Sequence, residues 1–288
     1  MLKFATGTVI GRSHLISGTN NQDGYIIKSN PKYQLAIVCD GCSCPMPDWS
    51  QGFSEVGARL LPEIVAQHIA NRETYDVLHG DDEWIATEFD TLSEDIHESI
   101  ATMADIISLS TSSFPQTIYR YFMSTVVGVL SNEKKTVFFW CGDGVRGVNG
   151  SIITMNDRIR QGVNAPPYLA YGVLPEYNQY DTDGRKYYLN IEIHDTAKIK
   201  RGFIGTDGVG DFIDEELTVI PALSGTSKNP DKQLVGSIEQ FYRDNCFLED
   251  TAITCRLRLI GEDVMNDGLF YPGLLPDDTT LIVFKRDD

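Results

Sequence analysis

Residues 35–41 read Leu35-Ala36-Ile37-Val38-Cys39-Asp40-Gly41 and place a carboxylate directly after a hydrophobic run. A short apolar run of this kind is consistent with a buried β-strand. A carboxylate beside such a strand is costly unless it is paired or bound to a cation. The stretch therefore predicts a buried strand that ends at a polar site.

Three distant segments carry a similar aspartate step at or near a hydrophobic run. They are Asn21-Gln22-Asp23-Gly24, Gly202-Phe203-Ile204-Gly205-Thr206-Asp207-Gly208 and Pro276-Asp277-Asp278-Thr279-Thr280-Leu281-Ile282-Val283-Phe284. Carboxylates from remote segments can converge in a folded sheet and hold hard divalent cations, which favour oxygen ligands. The sequence therefore favours a metal-dependent hydrolase.

Composition narrows the classes of partner. The chain has 288 residues, of which 42% are hydrophobic, so it can build a full core as one domain spanning residues 1–288. With 24 basic and 41 acidic residues, the formal net charge is −17. Such a charge disfavours nucleic acid and anionic membranes as partners.

The lack of a recognisable targeting signal and the cysteine usage predict a cytoplasmic protein. The first residues lack the apolar stretch of a secretion signal, and no segment approaches the roughly 18 apolar residues of a membrane span. Six scattered cysteines do not suggest a disulfide scaffold. Cys39, Cys42 and Cys44 raise the idea of zinc, but no matching Cys/His pair lies elsewhere at zinc-finger spacing.

Hydrophobic periodicity predicts an α+β fold. Apolar residues recur every three or four positions from Asp82 to Leu109, which predicts a long helix, and another helix is expected over residues 55–66. Residues 125–130, 136–141 and 145–148 read as three consecutive strands of an antiparallel meander. Further strands are expected near 187–193, 202–206 and 280–284, and helices near 232–243 and 250–259. Residues 151–186 contain Pro166-Pro167 and Asp183-Gly184 and predict an irregular, flap-like excursion.

Six short boxes, in order along nearly the whole chain, resemble those of the metal-dependent serine/threonine protein phosphatases of the 2C type, especially their bacterial branch. The boxes are Asn21-Gln22-Asp23, Val38-Cys39-Asp40-Gly41, Ser124-Thr125, Cys141-Gly142-Asp143, Thr206-Asp207-Gly208-Val209-Gly210-Asp211 and Asp277-Asp278-Thr279-Thr280. Each box alone is weak, because Asp-Gly is also a common turn. Their shared order makes the resemblance specific.

The resemblance implies a four-layer α-β-β-α sandwich of two mainly antiparallel sheets flanked by helices. Two divalent cations, Mn²⁺ or Mg²⁺, would lie in a cleft between the sheets. In this family pattern Asp40 would bridge both cations, and the Gly41 carbonyl would bind one of them. Asp207 and Asp277 would bind the other, and Asp23 would hold coordinated water.

The same resemblance implies an outer set of residues. Asp143 and Asp211 would form a weaker third cation site together with Asp207. Gln22 and Asp278 would lie behind the residues that bind metal and would orient them.

Several positions depart from the family pattern. Gly18 stands where the family usually has a phosphate-binding Arg, so Arg12 or His14 is the candidate substitute for substrate binding. Gln22 replaces the family's Glu, and Cys42 stands where many eukaryotic members have a proton-donating His. Substrate recognition in this chain is therefore expected to differ from the family pattern.

The resemblance implies hydrolysis of phosphoserine and phosphothreonine on proteins by a hydroxide held between two cations at Asp40 and Asp207. The partners would be a phosphorylated protein and the serine/threonine kinase that modifies it. Two alternatives stay open: a catalytically silent regulatory binding module of the same fold, and a phosphoesterase for small molecules. A binding module has no physical need to hold like charges together, which favours the enzyme.

Overall fold

Two five-stranded antiparallel sheets form the centre of the computed structural model of this protein. The structure describes residues 1–42, 53–72, 77–111, 113–155, 166–178, 186–214, 219–220, 233–234, 237–249, 251–266 and 269–286. Its strands are β1 (Leu2–Val9), β2 (Gly24–Ser29), β3 (Gln34–Cys39), β4 (Val126–Ser131), β5 (Lys135–Cys141), β6 (Val145–Val148), β7 (Ser151–Thr154), β8 (Asn190–Asp195), β9 (Arg201–Gly205), β10 (Val219–Ile220), β11 (Gln233–Leu234), β12 (Val264–Asn266), β13 (Leu269–Tyr271) and β14 (Thr279–Arg286). The first sheet has the order β1-β14-β9-β6-β7 and the second the order β2-β3-β4-β5-β8.

Helices cover the outer faces of both sheets. They are α1 (Arg12–Ser17), α2 (Ser54–Asn71), α3 (Asp82–Thr111), α4 (Phe114–Tyr121), α5 (Pro175–Asn178), α6 (Asp207–Asp214), α7 (Glu239–Arg243) and α8 (Ala252–Gly261), with 3-10 turns at Val77–His79, Leu169–Val173, Thr196–Lys198 and Asn245–Leu248. Helices α2 and α3 pack on the second sheet, whereas α6, α7 and α8 pack on the first. The four-layer α-β-β-α sandwich implied by the resemblance is therefore confirmed.

The described residues form a hydrophobic core of three parts, one between the sheets and one beneath each helical layer. Phe138 of β5 and Phe284 of β14 meet between the sheets, with ring centroids 5.9 Å apart. The apolar stripe of α3 packs on β5, where Phe89 lies 5.5 Å from Phe139 between ring centroids. Strand β3 is buried along its whole length, because it lies inside its sheet and is covered on both faces. The strand expected from residues 35–39 is confirmed.

The predicted three-stranded meander is wrong in its third strand. Strands β4 and β5 pair in the second sheet, but β6 pairs with β7 and β9 in the first. The chain crosses between the sheets at residues 142–144, where Gly142 and Gly144 have φ values of 103° and 138°. These values lie in a region that favours glycine, so this turn redirects the chain rather than closing a hairpin.

The described parts of the expected irregular excursion over residues 151–186 include a strand and buried side chains, and its flap-like character stays a prediction. Residues 151–154 form β7, which pairs with β6. Tyr168 and Leu169 are buried against the core that α3 covers, because the segment supplies apolar side chains to that core. Residues 156–165 and 179–185 of the predicted excursion lie outside the described residues.

Other element boundaries also differ from the expectations. The strand expected at 187–193 is β8, which begins at Asn190. Of the helix expected over residues 232–243, Glu239–Arg243 form α7, whereas Gln233–Leu234 form β11. Helix α2 continues through Pro62 to Asn71. The short helix α1 was not expected. None of the helices in the described ranges is both long enough and apolar enough to cross a membrane.

Candidate metal centre

The strand register brings the predicted aspartates to one end of the sandwich. In the second sheet Gly24 pairs with Cys39 and Val126 pairs with Cys141. The residues next to these pairs include Asp23 before β2, Asp40 after β3 and Asp143 near the end of β5. In the first sheet Leu281 pairs with Gly205, so that Asp207 follows β9 where β14 begins after Asp277 and Asp278.

Two consecutive hydrogen bonds through the Thr206 hydroxyl join the two sheets at this end. The Thr280 backbone N–H donates to Thr206 Oγ1 at 3.0 Å. The Thr206 hydroxyl in turn donates to Asp23 Oδ2 at 3.0 Å. Because Thr206 lies at the end of β9 and Asp23 lies before β2, these two hydrogen bonds hold aspartates of both sheets in one place.

The backbone around Asp40 is fixed by hydrogen bonds on both sides. The Asp40 N–H donates to Thr125 Oγ1 at 3.2 Å, and the Thr125 N–H donates to the Asp40 carbonyl at 2.8 Å. The Gly41 N–H donates to the Gln22 carbonyl at 3.1 Å. A Cβ at Gly41 would lie only 2.7 Å from the Gln22 and Ser54 carbonyl oxygens. Glycine is required here because three backbone segments approach one another.

Electrostatic repulsion marks Asp40 as the centre of the cluster. Burial raises the pKa of this carboxyl well above its usual range, and neighbouring aspartates raise it further. The interacting carboxylates belong to both sheets and are Asp207, Asp23, Asp143 and Asp277. Four of the predicted metal-binding positions and one predicted third-site residue therefore lie close enough to influence one another.

Burial and neighbouring negative charges also raise the pKa values of Asp207 and Asp211. Burial raises the pKa of Asp207 to about 7, and the charges of Asp143, Asp277 and Asp211 add to the effect. Burial also raises the pKa of Asp143 and, with the charge of Asp277, that of Asp211. Without a cation, the Asp207 carboxyl would therefore hold a proton in a fraction of the molecules near neutral pH.

Two carboxylate oxygens of the cluster have no partner in the described part of the chain. Asp23 Oδ1 and Asp207 Oδ1 are buried and accept no hydrogen bond from these residues. An unsatisfied buried carboxylate oxygen costs free energy unless a donor or cation binds it. The donor set is made of oxygen atoms and is negatively charged, which suits Mg²⁺ and Mn²⁺. The residues present therefore fit divalent cations.

Asp278 lies behind the cluster and ties three segments together. It accepts hydrogen bonds from the Gly11 N–H at 2.6 Å and the Gln22 N–H at 2.5 Å. His14 Nδ1 lies 2.8 Å from Asp278 Oδ2 and 3.8 Å from Asp277 Oδ1. The predicted supporting position of Asp278 agrees with this geometry, and His14, Asp277 and Asp278 form a compact group that could itself bind metal.

The two candidates for phosphate binding have different surroundings. The Arg12 Nε atom donates to Asp263 Oδ1 at 2.8 Å, and the guanidinium lies over the Phe270 ring. His14 instead faces the aspartates. In this arrangement Arg12 is already paired, so binding phosphate would require it to leave Asp263.

Sequence reasoning missed three residues that shape the site. Thr206 and Thr125 position Asp23 and Asp40 through hydrogen bonds; both stand in the boxes quoted above, but the sequence analysis predicted no role for them. Tyr168 is buried, its hydroxyl hydrogen-bonds Cys42, and it lies near Asp40. Nothing in the sequence predicted Tyr168, because its segment was expected to lie away from the core.

The comparison with known families agrees with this geometry. The family model described as "Protein phosphatase 2C" matches residues 10–158, just over half of the 288 residues. The chain belongs to the protein phosphatase 2C family. The enzyme class is therefore serine/threonine phosphatase, as expected from the sequence. The match includes Asp23, Asp40 and Asp143, whereas Asp207 and Asp277 are brought to them by the fold.

Solved bacterial phosphatases share the fold over the whole chain. Serine/threonine phosphatase Stp1 from Staphylococcus aureus is 15% identical with a TM-score of 0.52, covering 100% of this chain and 96% of its own. A point mutant of a bacterial serine phosphatase is 16% identical with a TM-score of 0.53, covering 100% and 99%. The catalytic domain of PstP, in complex with two manganese ions, is 15% identical with a TM-score of 0.50, covering 100% and 99%. No curated protein matches the chain by sequence.

Proposed function

We propose that this protein removes phosphate from phosphoserine and phosphothreonine of protein substrates, using divalent cations held by the aspartate cluster. The observation that carries the proposal is the convergence of Asp23, Asp40 and Asp207 from both sheets, with unpartnered buried oxygens on two of them. The solved PstP domain contains two manganese ions, which supports two cations here as well.

Each aspartate has a separate task in this proposal. Asp40 would bind both cations, the Gly41 carbonyl would bind one of them, and Asp207 and Asp277 would hold the other. Asp23 would orient water through the carboxylate oxygen that Thr206 leaves free. When bound, the cations would supply ionisation of water near neutral pH and screening of the phosphate charge.

The supporting residues keep these carboxylates in place. Asp278, held by Gly11, Gln22 and His14, fixes the backbone from which Asp277 projects. Asp143 and Asp211 lie on the Asp207 side and would form a weaker third site. This arrangement requires neither a protein nucleophile nor a covalent phosphoenzyme.

The destabilisation caused by the aspartate cluster argues against a catalytically silent binding module. Like charges held together in a buried place destabilise the fold unless cations compensate them. A module that only binds partners gains nothing from this arrangement. The cognate kinase, a signalling role and a cytoplasmic location stay predictions.

Phosphate release tests the proposal and separates the substrate classes. We expect release from a phosphothreonine peptide with Mn²⁺ or Mg²⁺, and none with chelator. Hydrolysis of small phosphoesters together with inactivity on every phosphopeptide would favour the small-molecule alternative. Inactivity on all phosphoesters at saturating Mn²⁺, despite bound metal, would favour the silent module.

A further inference from the structure

Helix α1 exposes two large aliphatic side chains next to the aspartate cluster. Leu15 is 60% exposed and Ile16 is 70% exposed. They lie three and four residues after Arg12, so all three side chains share one face of the helix. This face differs from that of His14, which points to the aspartates.

The β12–β13 hairpin continues the exposed apolar surface. Met265 and Phe270 are directly opposite each other in the strand register and therefore lie on one face of the hairpin. They are 67% and 53% exposed. The Arg12 guanidinium lies 5.6 Å from the centre of the Phe270 ring, which places the helix face beside the hairpin face. We call Arg12, Leu15, Ile16, Met265 and Phe270 the α1–hairpin surface.

This surface is attached directly to the proposed catalytic site. The Arg12 and Ser13 N–H groups donate to the carbonyls of Leu275 and Pro276 at 3.0 Å, just before Asp277. An α-helix with its side chains is about 10 Å across. An extended chain covers about 3.3 Å per residue, so a peptide with its phosphoresidue at the aspartates reaches this surface within about four residues.

The charges around the α1–hairpin surface indicate which kind of segment would bind there. Arg12 is paired with Asp263, and the exposed Glu262, next to Asp263 in the chain, adds negative charge at this edge. A second copy of this chain would carry a net charge of −17 and would be repelled. A segment with apolar and basic side chains would cover the exposed apolar groups and match the acidic edge.

We propose that the α1–hairpin surface binds an apolar and basic segment that lies about four residues from the phosphoresidue of the protein substrate. The inference rests on the proposed phosphatase function and names the substrate class. It assigns specificity to residues that take no part in holding the cations.

Peptide binding tests the inference independently of catalysis. Two unphosphorylated threonine peptides are compared by fluorescence anisotropy, one with Leu and Arg four residues from the threonine and one with Ser and Glu there. The variant is the double substitution Ile16→Ser and Met265→Ser. The matched control is Ile106→Ser and Leu109→Ser, which removes equally large exposed side chains, 65% and 89% exposed, from α3.

We expect the wild type to bind the Leu/Arg peptide about tenfold more tightly, equivalent to about 1.4 kcal/mol. The Ile16/Met265 variant should lose this preference, and the α3 control should keep it. All three proteins should hydrolyse an aryl phosphate at equal rates with Mn²⁺. The phosphorylated Leu/Arg peptide should show a KM about tenfold higher with the Ile16/Met265 variant and an unchanged kcat.

Three results would overturn the inference: equal binding of both peptides by the wild type, an equal loss in the α3 control, or a wild-type dimer that the Ile16/Met265 variant dissociates. The last result would assign the surface to a second copy. Selective peptide binding without hydrolysis of any phosphoester would instead refute the proposed phosphatase function and retain the surface as a peptide site.

Discussion

Asp207→Asn should stabilise the metal-free protein while it removes the response to metal. The substitution preserves the shape of the side chain and removes one negative charge from the cluster. Burial and the neighbouring aspartates raise the pKa of Asp207 to about 7. Relative to an ordinary value of about 3.9, this corresponds to about 4 kcal/mol of destabilisation of the ionised group.

The expected gain is smaller than this full value. The ionised Asp207 carboxylate accepts a hydrogen bond from the Gly208 backbone N–H, which the Asn oxygen would replace only in part, and the Asn amide has its own desolvation cost. We therefore expect a gain of about 2 kcal/mol at pH 8 with chelator, or a rise in Tm of about 4–8 °C. Wild type should gain stability with Mn²⁺ by mass action, and the variant should gain much less.

Thermal and denaturant unfolding with EDTA or Mn²⁺ measure these effects. Asp105→Asn is the control, because Asp105 is exposed on α3 and its substitution should change stability by less than about 0.5 kcal/mol. The reasoning is refuted if metal-free Asp207→Asn is less stable than wild type. It is also refuted if Mn²⁺ stabilises the two proteins equally.

Other predictions concern pH, substrate binding and packing. With chelator, the wild type should lose stability as pH rises from about 4 through 7, because the raised pKa of Asp207 lets the folded chain bind more protons than the unfolded chain. Urea unfolding midpoints at pH 5 and pH 8 measure this loss. A higher midpoint at pH 8 than at pH 5 would contradict the prediction. Arg12→Ala and His14→Ala separate the two candidates for phosphate binding. Loss of substrate binding raises KM severalfold with less effect on kcat. We expect this change for His14→Ala, since Arg12 is paired with Asp263. If neither substitution changes KM, neither residue substitutes for the family's phosphate-binding Arg. Gly24→Ala should destabilise by about 1–3 kcal/mol, because the new Cβ would overlap the Ala58 carbonyl oxygen; unchanged unfolding would show that α2 can move away from β2.

The sequence predicted the parts of the fold that depend on local pattern. Strand β3 and helix α3 follow from an apolar run and from apolar spacing, which act within a few residues. The sheet to which β6 belongs could not be predicted, because the glycine turn at 142–144 decides between the sheets and a local pattern cannot distinguish a hairpin from a crossing. The burial of Tyr168 likewise depends on a partner surface far away in the chain.

The aspartates of the site could be found from the sequence, and their supports only in part. Asp40 and Asp207 each end a hydrophobic run, so their cost of burial is visible without a structure. The hydrogen bond from Thr206 to Asp23 joins residues 183 positions apart, and only the folded sheets bring them together. The pairing of Arg12 with Asp263 depends on the β12–β13 hairpin, which the sequence did not predict.

Mn²⁺ titration of the wild type and Asp40→Asn, with phosphate release from a phosphothreonine peptide followed in the same samples, tests the central claim most directly. The account predicts that the wild type binds two Mn²⁺ ions tightly and that release begins as these sites fill. Asp40→Asn should stay folded, bind Mn²⁺ more weakly and lose activity. Wild-type release that continues in chelator, or an Asp40→Asn variant with unchanged turnover at saturating Mn²⁺, would contradict the account.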